Sequence, residues 1–346
     1  MYRPSLVARS WRWRRVARGA PDPWSREEGA ARPGGRRPAG GRRARGGRLS
    51  GLLLAGALAL SACGGLPRRA AAPAETPSTA PVASTSTSST STSSTSLPYS
   101  ARPLVFLLTK SALGEVTADA QAAAVLRRSQ VYELLDAGAA PDRSLPDVVP
   151  TADFRSEASL AAAIGAGGPS GRRAVLLDLE DWSFTPRAEQ EDPARYLALA
   201  GAAARRAGVT LIAAPAIDLA RVLAPGKGPF WRSYLRLGLA AAAARAAPVV
   251  EIQAQSLEGT PSLYAEFVAA AARQARAANP SVVVLAGLST NDAGRPASLG
   301  DIEAAIAATR SIVAGYWMNI PSPGPACPAC RPGSPRVAAE AIAHLG

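Results

Sequence analysis

The sequence predicts an α/β fold, a (β/α)8 TIM-like barrel preceded by a disordered leader and tether. Three observations predict it. From residue 101 onward, short aliphatic runs alternate with alanine-rich stretches. From Ala174 the runs begin at 174, 209, 249, 282 and 312, a step of 30–40 residues. Strand, helix and strand at that step describe parallel βαβ units. Two runs also carry polar side chains at every second position: Glu251, Gln253 and Gln255 alternate with Val250, Ile252 and Ala254, and Asp178 and Glu180 oppose Leu177 and Leu179. Period two places each set on one side of its strand. Central strands of an open sheet are apolar on both faces, whereas a barrel can turn one face to helices and the other to a polar mouth.

The first segment, residues 1–48, is basic. It holds 14 arginines against Asp22, Glu27 and Glu28, leaving +11, while residues 63–346 hold 25 basic and 23 acidic groups, leaving +2. The basicity belongs to the leader, so no nucleic-acid partner is expected of the domain. Rich in Arg, Gly and Pro, with no periodic apolar face, the leader reads as disordered. Residues 49–63 follow, with an apolar core, Gly51–Leu60, too short for the roughly 20 residues of a membrane-spanning helix. The run Leu60-Ser61-Ala62-Cys63 resembles the lipobox of bacterial lipoproteins. That resemblance implies a signal peptide, lipidation of the Cys63 thiol and cleavage before it. It also implies an extracytoplasmic protein anchored to the cell membrane through lipid. The other reading is a buried apolar helix with a chance cysteine. The basic stretch Arg42–Arg48 suffices as an export n-region, so a start of translation downstream of Met1 is compatible with the pattern. The Arg42-Arg43 pair also allows twin-arginine export, although its flanks match that pattern poorly.

Residues 64–100 read as a linker. Ser84–Ser96 is an unbroken run of 13 Ser and Thr residues, preceded by Pro67, Pro73, Pro77 and Pro81. Such a chain has an r.m.s. span of about 30–35 Å, which holds the following domain clear of a surface. The barrel domain is 101–346. Its strands are expected at Leu104–Thr109, Val148–Phe154, Ala174–Asp181, Val209–Ala214, Val249–Gln255, Val282–Leu288 and Ile312–Ile320, with Val131–Leu135 as a further candidate. Helices are expected at 156–165, 192–207, 229–246, 262–278 and 299–310. Asp192-Pro193 supplies an N-cap and a proline at the first helical position. Gly208, Pro248 and Pro280 punctuate helix-to-strand joints. A doubly wound sheet would want a Gly-rich phosphate turn after the first strand. The chain has Lys110-Ser111-Ala112-Leu113-Gly114 there instead.

With Cys63 lipidated, Cys327 and Cys330 remain, in Cys-Pro-Ala-Cys. In an exported protein this spacing favours a local disulfide. A redox pair and a zinc site stay as alternatives, the latter short of ligands because His344 is the only histidine. No metal and no cofactor is expected.

Parallel strands all end on one face, where barrel enzymes carry their sites. The strand ends bring up Lys110, Asp153, Asp178, Glu180, Asp181, Asp218, Gln253, Gln255, Glu258, Thr290, Asn291, Trp317 and Asn319. Without histidine, Ser/His/Asp and Cys/His chemistry is disfavoured. Carboxylates can act at an acetal, amides bind hydroxyls, and indoles such as Trp182 and Trp317 pack on sugar rings.

The segment Asp178-Leu179-Glu180 resembles the terminal D-x-E of family 18 chitinase-like barrels. The resemblance implies Glu180 as general acid, Asp178 as its partner and Trp317 at the pocket floor. The family's two earlier aspartates fall on Arg173 and Leu176, so its substrate-assisted mechanism is not implied. More loosely, the domain looks like exported glycoside-hydrolase-like barrels. The expected site is thus Glu180 and Asp178, with Asp181, Trp182, Gln253, Gln255, Asn291, Trp317 and Asn319 as carbohydrate-binding groups. Asp178, Glu251 or Glu258 would be the second carboxylate. Competing structural roles are ion pairs of Asp178 and Glu180 with Arg172, Arg173 or other barrel residues, an amide network of Gln253 and Gln255, and capping of the following helix by Glu189, Glu191 and Asp192. Asp181 could cap a turn, Trp182 and Phe184 could cover the barrel top, and Trp231 could pack in the core. The functional alternatives are a non-catalytic glycan binder and a structural envelope protein.

Overall fold

The computed structural model describes residues 103–292, 294–324 and 330–346. The leader, Cys63, the linker and Cys327 lie outside the described residues. Eight parallel strands close a barrel: β1 (Val105–Thr109), β2 (Gln130–Leu134), β3 (Val148–Phe154), β4 (Ala174–Leu179), β5 (Thr210–Pro215), β6 (Val249–Ile252), β7 (Val283–Ser289) and β8 (Gly315–Asn319). Neighbours in sequence are neighbours in the sheet, and β8 pairs with β1 to complete the ring. This is a (β/α)8 barrel. Every strand expected from the sequence is present, trimmed where Glu180-Asp181 and Gln253–Gln255 leave β4 and β6 as rim loops.

Two apolar cores follow from the period-two pattern. Leu107, Tyr132, Val149, Leu176, Ile212 and Leu285 fill the barrel interior, while Phe106, Val175, Leu177, Leu211, Val250 and Val284 face the helices. Leu107 and Leu176 are fully buried, and burying each such side chain contributes about 1.5–3 kcal/mol. The alternation puts Asp178, Glu251 and Gln253 on the interior side, above and between the apolar layers.

The helices are α1 (Lys110–Val116), α2 (Ala120–Leu126), α3 (Glu157–Gly165), α4 (Arg187–Glu191), α5 (Pro193–Ala207), α6 (Ala220–Leu223), α7 (Phe230–Leu237), α8 (Leu239–Ala246), α9 (Pro261–Ala278), α10 (Leu299–Thr309) and α11 (Pro335–Ala343). The stretch expected as one helix at 229–246 breaks at Gly238, which takes φ +66°, a conformation cheap only for glycine. Asp192 caps α5 through Arg195 N–H at 3.2 Å, with Pro193 at the first position. Gly201 lets α5 approach α8: a Cβ there would lie 2.3 Å from the Ala246 carbonyl oxygen. Gly315 does the same between β8 and β1, where a Cβ would meet the Val105 carbonyl oxygen at 1.7 Å. Among the described residues no helix is long and apolar enough to cross a membrane.

The connection from β2 to β3, residues 135–147, has no helix. Glu133 turns outward from β2 and accepts Asp142 N–H at 2.8 Å, holding that loop against the barrel.

Candidate functional site

The C-terminal end of β4 lies between β3 and β5. Each of these three strands ends in a carboxylate. Asp153 is next to last in β3, Glu180 follows β4 directly, and Asp218 lies three residues beyond β5. The two flanking aspartates each have an arginine: Arg155 Nε lies 3.6 Å from Asp153 Oδ2, and Arg221 Nη2 lies 3.9 Å from Asp218 Oδ2. Asp218 also accepts Asp181 N–H at 3.0 Å. Burial, then the Asp218 and Asp153 charges, push the Glu180 carboxyl up to about 8, against a partial opposing pull from Arg155. At neutral pH Glu180 therefore keeps its proton.

Asp178, one residue pair deeper, is nearly inaccessible and sits well above the usual carboxylate range. Burial is the main cause, followed by Glu180, Asp153 and Glu251. The Gln253 amide donates to Asp178 Oδ1 and to Ala214 O at 3.1 Å, fixing one face of the mouth. Glu251 is fully buried below, both carboxylate oxygens lack a hydrogen-bond partner, and burial raises it strongly too. Gln255 fills the space a Cβ on Gly287 would occupy, within 2.4 Å of its amide carbon. That glycine, level with Trp317 in the ladder, lets an amide reach into the mouth. Trp317 packs on the interior core with its indole Nε1 buried and unpartnered. Asn319 ends β8 half-buried at the rim.

The segment after Glu180 is braced by Thr185. Its hydroxyl donates to Arg155 O at 2.8 Å and accepts from Trp182 Nε1 at 2.8 Å and Glu180 N–H at 3.3 Å. The Gln190 amide donates to Trp182 O and Thr185 O. Trp182 meets Phe184 edge-on, ring centroids 5.3 Å apart, and Arg155 lies over both rings. Across the mouth, Ser256 holds φ +86°, strained for a residue with a Cβ. Glu258 accepts Ser289 N–H at 2.6 Å beside it, and burial lifts Glu258 to about 7.

Several expected roles change on this geometry. Arg172 donates to Asp136 O and Ala139 O, and Arg173 to Val148 O; both stand at the opposite end of β4 from Asp178 and Glu180 and pair with neither. Asp181 joins the Arg221 ion pair at 3.3 Å. Glu189 caps the helix before it: its carboxylate accepts Glu157 N–H at 2.6 Å and Ala158 N–H at 3.2 Å at the start of α3. Glu191 pairs with Arg187 on its own helix. Asn291 is buried and donates to Pro332 O, and Thr290 accepts Ser334 N–H, so both hold the C-terminal segment. Lys110 reaches Ala140 O and lies 3.9 Å from Glu133. Trp231 is half-buried against the helix-side core. His344 pairs with Glu303 at the end of α11. Cys330 is disulfide-bonded. Among the described residues no group of three or more His, Cys, Asp or Glu is arranged to hold a metal ion. The pairing of each flanking aspartate with an arginine two or three residues on was visible as Asp153-Phe154-Arg155 and Asp218-Leu219-Ala220-Arg221, but only the closed strand order shows that both flank Glu180.

No family model matches the chain, and no curated protein is similar to it in sequence. Among solved structures it is similar to triosephosphate isomerase from Bartonella henselae, at 12% identity and a TM-score of 0.38, over 62% of this chain and 92% of that one. It is also similar to bee venom hyaluronidase, at 17% identity and a TM-score of 0.30, over 51% of this chain and 64% of that one. A family 51 α-L-arabinofuranosidase from Bifidobacterium longum is similar at 12% identity and a TM-score of 0.30, over 55% of this chain and 47% of that one.

Proposed function

We propose that the protein is an exported lipoprotein, anchored to the cell membrane through Cys63, whose barrel hydrolyses a glycosidic bond. The observation that carries the catalytic reading is Glu180, a protonated carboxyl at a strand end between two arginine-paired aspartates. A glycosidase needs one neutral carboxyl to protonate the leaving oxygen and one ionised carboxylate at the anomeric centre, as base or nucleophile. Glu180 serves as the acid. For the second group the geometry favours Asp218 over the residues expected from sequence. Asp178 is held by Gln253 and raised strongly, Glu251 is sealed off, and Glu258 is tied to backbone. Burial raises Asp218 too, but an arginine and a backbone N–H oppose that rise, and Asp218 stands first among the charges acting on Glu180. Asp178 and Gln253 then position the substrate, and Trp317 forms the floor.

The test is sugar release by the purified chain from a panel of cell-envelope and storage polysaccharides, beside Glu180→Gln. Loss of release by about 10²–10⁴-fold in the variant is expected of a general acid. Wild-type rates in Glu180→Gln sink the assignment. One observation favours a second reading, a tethered glycan binder without turnover: Leu176 and Arg173 stand where the resembled family has aspartates, and Leu176 is buried in the interior core. Binding of an oligosaccharide with no hydrolysis would select it.

A further inference from the structure

A groove of about 940 Å³ runs beside β3, between the helix-less loop after β2 and α3. Neither Glu180 nor Asp218 lines it, but Asp153, beside Glu180 at the rim, does. Asp153 lines the groove and is one of the aspartates whose charge reaches Glu180. The groove exists because the β2–β3 connection lacks the helix that would otherwise cover this part of the barrel wall.

Its upper end is built from groups that suit a sugar. Phe184 is 43% exposed there, one of three large apolar side chains so exposed among the described residues. It is not loose. Trp182 packs on it edge-on, the Trp182 N–H is used by Thr185, and the Arg155 guanidinium lies 5.2 Å from the Phe184 ring centroid. The result is a fixed aromatic surface in a groove that charged and hydroxyl groups also line, among them Asp136, Arg155 and Ser159. An aromatic face takes the C–H side of a pyranose, and the surrounding polar groups take its hydroxyls. Small-molecule sites span about 300–1,000 Å³, so this groove has room for more than a single ring.

Resting on the glycosidase reading above, we infer that this groove binds further rings of an extended glycan whose cleaved linkage lies at Glu180. The substrate is therefore an oligomer or polymer, and recognition extends outward along β3 with Phe184 as platform.

The experiment titrates the full chain carrying Glu180→Gln with chito-oligosaccharides and, separately, cello-oligosaccharides of one to six rings, following tryptophan fluorescence. Affinity rising about tenfold or more between one ring and four in either series is expected. Phe184→Ala should remove most of that gain and leave single-ring affinity unchanged. Ala163→Trp, which fills the groove from α3, should do the same. Single-ring binding with no dependence on length overturns the groove while leaving the mouth as a sugar site. Length dependence untouched by both variants overturns it equally. Absence of binding in both series at every length overturns the groove, while the glycosidase reading stands or falls on sugar release from the polysaccharide panel.

Discussion

Glu180→Gln should make the protein more resistant to unfolding at alkaline pH. In the fold, burial and the Asp218 and Asp153 charges lift this carboxyl from an ordinary 4.5 to about 8; in the unfolded chain the lift is gone. Between those values the folded state holds a proton that the unfolded state has released. Stability is therefore lost as pH rises through the window, by about 1.4 kcal/mol per pH unit. The full span gives about 5 kcal/mol. Neighbouring carboxyls share that cost, so one substitution should recover about 2–3 kcal/mol. Glutamine has nearly the same shape and does not ionise. In a domain of this size 1 kcal/mol moves the midpoint by about 2–4 °C. The gain of the variant over the natural chain should thus grow by roughly 5–10 °C between pH 5 and pH 9. Thermal unfolding followed by circular dichroism at pH 5, 7 and 9 measures it. A gain that stays flat with pH refutes the claim that the fold holds Glu180 neutral. A gain that shrinks would mean that the fold stabilises its anion.

Three further outcomes follow from single contacts. Thr185→Val removes the hydroxyl shared by Trp182 Nε1, Glu180 N–H and Arg155 O; it should cost about 1–3 kcal/mol in urea unfolding and shift the tryptophan emission. Gly201→Ala should cost more than about 3 kcal/mol, because the added Cβ meets the Ala246 carbonyl at 2.3 Å and both partners are helix backbone; an unchanged melting temperature would show that α5 can slide away. Glu251→Gln should leave stability unchanged near pH 4 and raise it increasingly above, since burial keeps the natural carboxyl protonated while the unfolded chain ionises. Urea midpoints at pH 4 and 8 check the sign.

The barrel was legible in the sequence because its signal is local and repeated. Runs such as Ala174–Leu179 and Val283–Ser289 are too aliphatic and too short to be anything but strands, and the helical stretches between them fix the parallel order. The helices α1, α2 and α11 did not stand out, since Lys110–Val116 and Ala120–Leu126 are single short stretches whose burial is decided by α11, more than 200 residues away. The site was half legible. Alternation placed Asp178 and Glu180 on the interior face, and Gln253 beside them. It could not show that Gln253 donates to Asp178, a link across 75 residues, or that Asn291 is spent on Pro332. Nor could it show that Glu189 reaches back to α3. Each of these is a long-range partner choice, and composition is silent on partner choice.

On the proposed glycosidase reading, the distribution of arginines around the mouth accounts for Glu180, and not a neighbour, as the proton donor. An arginine paired directly with Glu180 would stabilise its anion and spoil it as an acid. Instead Arg155 and Arg221 stand on the two flanking aspartates. They oppose the burial that raises Asp153 and Asp218, and the negative charge on those two groups in turn favours the proton on Glu180. On the proposed reading the acid is thus a property chiefly of three adjacent strand ends, with Asp292 adding a smaller share. Replacing Asp218 by Asn removes one of the charges that hold the proton, so the Glu180 carboxyl should titrate at lower pH. For a base or nucleophile the same change should also depress turnover, whereas Asp153→Asn should lower the alkaline limit of activity with less loss at its optimum. A pH–rate profile separates the two, and an alkaline limit unmoved in both variants would break the link between the flanking aspartates and the acid.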